Sequence, residues 1–170
     1  MSKGTTIVSG LCSVVLGILW TILLIFNMFF IFLGAWCEHE KLPDLGVVLG
    51  EKLSYFLNSW LPFLLIGVLL LILILLLVIV NSNKRYHVFM TIGVATILSA
   101  ILSAGAGYRG QSLVRLLAEE WQEVLVYATV VWKDFSVIYS FVLLVLGITC
   151  VSVYFSIRMI KGEKREEDNK

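Results

Sequence analysis

The chain has 170 residues, 59% hydrophobic and 15% charged, with a net charge of +1 and a mean hydropathy of +0.96. A soluble domain of this size is nearer half apolar and a quarter charged, so the composition indicates an integral membrane protein. A near-neutral balance supplies no field for a polyanion, and the basic residues do not interleave with aromatics, which excludes nucleic-acid binding.

The first apolar run, residues 7–33, carries no charge and is long enough to cross a hydrocarbon core of ~30 Å with some tilt. It is too long for a signal-peptide core, and no small-x-small cleavage site follows it, so it is expected to remain as a span. Leu33-Gly34-Ala35-Trp36-Cys37 has the outline of a lipoprotein box, but Trp36 occupies a position that requires a small residue. Residues 44–60 come next. Leu45, Val48, Leu49, Leu53, Phe56, Leu57 and Trp60 recur at helical spacing, and Asp44 is placed to cap the start. Gly46 and Gly50 weaken this amphipathic helix by about 1 kcal/mol each relative to alanine.

A second span is expected over 61–80, with Pro62 in its first turn, where a missing N–H costs nothing. The third covers 88–107 and the fourth 136–159. Between these two lies the most clearly two-faced segment of the chain, residues 112–135. Leu113, Leu116, Leu117, Trp121, Val124, Leu125, Ala128, Val131, Trp132 and Phe135 make one stripe, and Arg115, Glu119, Gln122, Glu123 and Lys133 lie mostly opposite. The tail, 160–170, is charged, mixed in sign and expected to fray. The fold class is therefore all-α and integral to the membrane: one domain, a four-helix bundle with two amphipathic helices on its outer face.

Orientation follows from lysine and arginine. Lys3, Lys84, Arg85, Arg158, Lys161, Lys164, Arg165 and Lys170 share one side; Lys41, Lys52, Arg109, Arg115 and Lys133 are spread over the two longer loops of the other. The density difference assigns both termini to the cytoplasm and the chain to a plasma membrane. Glu119, Glu120 and Glu123 then form an acidic edge on the outside, the candidate recognition face.

An offset of 72 residues aligns Tyr55, Trp60 and Phe63 with Tyr127, Trp132 and Phe135. Both halves read span, outer helix, span, as in a parallel two-fold repeat. Trp60, Phe63, Trp132 and Phe135 also suit interfacial anchors without any duplication, because aromatic belts occur at both membrane edges.

Apart from Arg158 at the end of the fourth, the spans hold no Asp, Glu, Lys, Arg or His. Ion-coupled transport needs ionisable groups at membrane depth, so a secondary transporter is not expected. Cys12, Cys37 and Cys150 form no C-x-x-C pair, and Cys37-Glu38-His39-Glu40 lacks a second ligand pair at zinc-site spacing. The pattern assigns no catalytic residue, cofactor or metal. It does assign packing. Ala95, Ser99, Ser103 and Gly107 stand four apart, with Ser9, Ser13 and Gly17 in the first span, the small-residue spacing that lets helix backbones approach. Spans one and three are expected at the centre, span two facing lipid, and Asn27 as a hydrogen-bonding contact between helices.

The leading expectation is a non-enzymatic accessory, scaffold or assembly subunit. Its partners are the lipid bilayer and other membrane proteins or further copies of itself. The alternatives are a pore lined by the Thr91, Thr96, Ser99 and Ser103 face, and a lipid-modifying enzyme using His39 on the outer face.

Overall fold

A computed structural model describes residues 3–37, 59–114 and 122–167, and within them the side-chain surroundings of 8–33, 59–82, 84–109 and 129–161. The described residues are helical, in the order α1 (Lys3–Cys37), α2 (Leu61–Val80), a single 3-10 turn (Ser82–Lys84), α3 (His87–Val114) and α4 (Gln122–Glu167). All four α-helices contain a stretch long and apolar enough to cross a membrane: Val8–Leu33, Leu61–Val80, His87–Arg109 and Thr129–Lys161. That fits an integral membrane protein.

The element boundaries follow from local chemistry. α2 opens at Leu61 because Pro62 is confined to the first turn, and Asn81 closes it with its backbone N–H on the Leu77 carbonyl at 3.0 Å. α4 has no such stop. From Gln122 to Glu167 it contains no proline, and its only glycines are Gly147 and Gly162. At 1.5 Å per residue it is about 69 Å long, more than twice the hydrocarbon thickness, so it projects beyond the bilayer.

This continuity corrects the reading of residues 112–135 as a separate outer helix. Ser112–Val114 are the last residues of α3, and Gln122–Phe135 are the first fourteen of α4. Residues 115–121 lie outside the described residues, as does most of the first outer helix, 44–58. The two halves also differ locally where the 72-residue offset aligns them. Trp60 caps a helix that Pro62 forces to begin, whereas Trp132 lies within an unbroken helix, and the residue aligned with Pro62 is Asp134.

The helices pack in the order α2, α1, α3, α4, with the most extensive contact between α3 and α4 and little between α2 and α3. Of the apolar window of α3, 39% is buried, against 22% in α1 and α4 and 17% in α2, so α3 is the central helix. α2 buries Pro62, Ile66, Leu73 and Leu77 along one side and exposes Leu64, Leu65, Leu71, Leu75 and Ile79 on the others. Trp20, Leu24, Leu73, Ala95, Ala100 and Leu143 form the central cluster, one or more from each helix.

Lipid is as apolar as leucine, so helices in a bilayer associate through close backbone packing and hydrogen bonds. The α3–α4 contact shows why glycine is required. A Cβ built on Gly93 would lie 3.0 Å from the Gly147 carbonyl oxygen and 3.1 Å from the Val151 nitrogen. The reciprocal atom on Gly147 would lie 3.0 Å from the Gly93 carbonyl oxygen and 3.1 Å from the Ile97 nitrogen. Further along the antiparallel pair, a Cβ on Gly107 would collide with the Ser136 hydroxyl. At Gly93 and Gly147 the added atom also meets the Val151 and Ile97 side chains, but it is the backbone atoms that cannot move aside. By contrast, a Cβ on Gly10, Gly67 or Gly105 meets nothing within 4 Å. Gly93→Val and Gly147→Val are each expected to cost about 1–3 kcal/mol of stability, the usual range for overpacking, and to lower the melting temperature in detergent. Gly67→Val is expected to leave it unchanged.

Candidate functional site

The small residues singled out in the sequence fall on α1 and on the central helix, α3. On α1, Ser13 and Gly17 are buried, and Ser9 is half-buried. A Cβ on Gly17 would touch the Thr91 methyl at 3.3 Å and Ala95 Cβ at 3.9 Å, so this stretch of α1 lies against α3. Ala95, Ser99 and Ser103 are buried, and Gly107 is buried against α4. The residues that make the α3–α4 contact were not all among them. Gly93 and Gly147 were missed, as were Ser136 and Ser140, both buried on α4. The signal was a seven-residue spacing, Gly93, Ala100, Gly107, with Ser136, Leu143 and Ser140, Gly147 in answer. A search at four-residue spacing passes over it.

Polar side chains inside the bundle are engaged in holding it. Trp20 donates its indole N–H to Thr96 Oγ1 at 3.0 Å, and Thr21 donates its hydroxyl to the Ala95 carbonyl at 3.2 Å, both across α1 and α3. Tyr139 of α4 bridges to α1 in two ways. Its hydroxyl donates to the Leu24 carbonyl at 2.8 Å and accepts from Asn27 Nδ2 at 3.2 Å. At the other end Asn81 Nδ2 donates to Ser13 Oγ at 3.0 Å and to the Leu77 carbonyl at 2.9 Å, tying α2 to α1. Thr96, Ser99 and Ser140 donate to the carbonyls four residues earlier on their own helices, the usual way a hydroxyl is satisfied in lipid. Ser103 Oγ is the one buried side-chain oxygen or nitrogen among the described residues without a partner.

Of the polar face considered for a pore, Thr96, Ser99 and Ser103 are buried within one copy of the chain and Thr91 is half-buried.

Beside the bundle's interior, α1, α3 and α4 leave an apolar groove of about 390 Å³, lined by Ile22, Ile25, Phe26, Met28, Phe29, Ala106 and Trp132. Its wall is fixed by Trp132, which donates its indole N–H to the Ala106 carbonyl at 3.2 Å and meets Phe32 edge-on at 4.7 Å. Ala106 and Gly105 are exposed, which keeps this side of α3 low. Of the other proposed anchors, Trp60 is exposed, Phe63 is exposed, and Phe135 stacks on Tyr139 at 6.1 Å. Glu119 and Glu120 lie outside the described residues, as does His39. Glu123 lies on α4, where only the backbone is described. Among the described residues no group of three His, Cys, Asp or Glu is placed to hold a metal.

No family model, curated protein or solved structure matches this chain.

The Asn27–Tyr139–Leu24 bridge gives a direct test of the interior. Intramembrane hydrogen bonds are worth roughly 0.6 kcal/mol on average and up to about 1.7. Tyr139→Phe is expected to destabilise the protein within that range in a detergent-to-denaturant titration. Asn27→Leu in the Tyr139→Phe background is expected to cost less than Asn27→Leu alone, because the bond it breaks is already gone.

Proposed function

We propose that this protein is a small polytopic subunit without catalytic machinery, which assembles with another membrane protein through helix–helix contacts in the bilayer. The observation that carries the reading is the groove. It is bounded by three helices, apolar throughout and held open at one edge by the Trp132–Ala106 hydrogen bond. A groove of this kind accepts an apolar helix face, and the exposed Gly105–Ala106 stretch allows the incoming backbone a close approach. The interior polar groups support the same reading, since among the described residues the buried ones other than Ser103 are hydrogen-bonded within the bundle.

On this reading both termini are cytoplasmic, the membrane is the plasma membrane, and Trp60, Phe63, Trp132 and Phe135 sit near the outer interface. The acidic edge at Glu119, Glu120 and Glu123 supplies a second, outer contact with the partner.

A photoreactive amino acid placed at Phe29, on the groove wall, tests this in native membranes. The expected result is a discrete protein adduct from position 29 and none from position 71, where Leu71 faces away from the groove's helices and is exposed. Lipid adducts alone at both positions would contradict the proposal.

A further inference from the structure

The end of the bundle opposite Trp132 carries a feature that the assembly reading does not use. α2 and α3 are joined by a turn held by three backbone hydrogen bonds: Lys84 N–H to the Asn81 carbonyl at 2.9 Å, Val88 N–H to the Arg85 carbonyl at 3.1 Å, and Phe89 N–H to the Tyr86 carbonyl at 3.2 Å. Asn81, bonded to both Leu77 and Ser13, anchors the turn on α1. The turn therefore presents Lys84, Arg85 and Tyr86 on a fixed frame.

The last turns of α4 meet that frame. Tyr86 stacks on His87 at 4.7 Å and lies 5.6 Å from the Tyr154 ring, and the Lys161 ammonium sits 4.9 Å above the Tyr86 ring. Lys84 lies on the turn two residues before Tyr86, and Arg158 stands one turn of α4 beyond Tyr154. Lys84, Arg85, Arg158 and Lys161 are all exposed; Lys161 lies over the aromatic platform that Tyr86, His87 and Tyr154 make from two separate elements, and Lys84 and Arg85 immediately precede Tyr86 in the chain. Among the described side chains the one carboxylate is Asp134, at the other end beside Lys133. The tail that follows is nearly balanced, with Glu163, Glu166, Glu167 and Asp168 against Lys164, Arg165 and Lys170. Its formal charge of −1, four acidic against three basic residues, is smaller than the +4 of the four cations.

We infer that this end binds the phosphate of an anionic lipid headgroup, with Lys84, Arg85, Arg158 and Lys161 as its ligands and Tyr86 as the platform that orders Lys161. The chemistry is that of a phosphate monoester or diester against two ammonium and two guanidinium groups, and guanidinium forks suit phosphate oxygens. Position selects the lipid over a soluble phosphate. The cluster lies where four apolar helices end, at headgroup depth, where tyrosine is favoured and where each basic residue adds about fivefold to the affinity for an anionic surface.

The test uses the full chain purified in a neutral detergent, titrated with short-chain phosphatidylglycerol, with phosphatidylcholine of the same chain length, and with inorganic phosphate. Retained lipid is counted by native mass spectrometry and the melting temperature is followed in parallel. Phosphatidylglycerol is expected to be retained and to raise the melting temperature, while the other two are not. Lys84→Gln, Arg158→Gln and Lys161→Gln together are expected to weaken retention by at least tenfold. Lys84→Arg with Lys161→Arg is expected to preserve it, as is Arg109→Gln with Lys133→Gln at the other end. Equal retention of phosphatidylcholine, or equal loss in the Arg109 and Lys133 variant, would overturn the proposal. So would a full effect from inorganic phosphate, which would mean a soluble ligand.

Discussion

The structure depends on the approach of two backbones, α3 and α4, at Gly93 and Gly147. In water such a pair would be driven together by apolar surface leaving solvent; in a bilayer that drive is absent, and contact distance decides the association. Each glycine presents its open face to the other's carbonyl at a separation that leaves no room for a methyl group. The α3–α4 hairpin formed in this way holds Thr91, Ala95 and Thr96 of α3 on the side where α1 docks. α1 docks there through Gly17 and through the Trp20 and Thr21 hydrogen bonds, and in turn carries α2. The order of the helices follows from that sequence of contacts.

Within this frame the buried polar residues other than Ser103 share one task. An unpaired polar group in hydrocarbon costs several kcal/mol, so a hydroxyl or amide at membrane depth is tolerated where it finds a partner. Tyr139 and Asn27 partner α1 with α4, Trp20 and Thr96 partner α1 with α3, and Asn81 and Ser13 partner α2 with α1. They give direction to contacts that packing alone would leave free to slide. The same logic accounts for the groove. Trp132 satisfies its indole N–H on the Ala106 carbonyl, and in doing so stands as a wall over a depression that α1 and α3 leave unfilled.

Most of the architecture was legible in the chain. The four apolar runs appear as four helices, and the second has the boundaries that Pro62 and Asn81 impose. The reading failed where it relied on amphipathic periodicity to define an element. Residues 122–135 have two faces, yet nothing at Phe135 or Ser136 breaks a helix, so they continue into α4. A change of environment along a helix, from interface to hydrocarbon, produces the same pattern as a change of element. The interior was legible on the α1 side of α3 and, on the α4 side, at Gly107 alone. Ala95 and Ser99 at four-residue spacing were visible, whereas Gly93 and Gly147 stand alone among large residues. Their meaning depends on the register of the facing helix, which no single helix's sequence contains. The groove was not legible, because it is made by residues of three helices that are ordinary when read separately.

The register of α3 against α4 is the central claim, and cysteine cross-linking measures it directly. In a background with Cys12, Cys37 and Cys150 replaced by serine, Gly107→Cys is paired with Ser136→Cys. A Cβ at position 107 would lie 3.0 Å from that of Ser136, so the two cysteines need move apart by only about 0.5 Å to reach the separation of roughly 3.5–4.5 Å found across a disulfide. The bond replaces the clash with the Ser136 hydroxyl. Mild oxidation in membranes is expected to link this pair rapidly within one chain and to leave Gly67→Cys with Ser136→Cys unlinked. Failure of the first pair to link, with ready linkage of Gly107→Cys to Ser140→Cys instead, would contradict the α3–α4 contact on which the account rests.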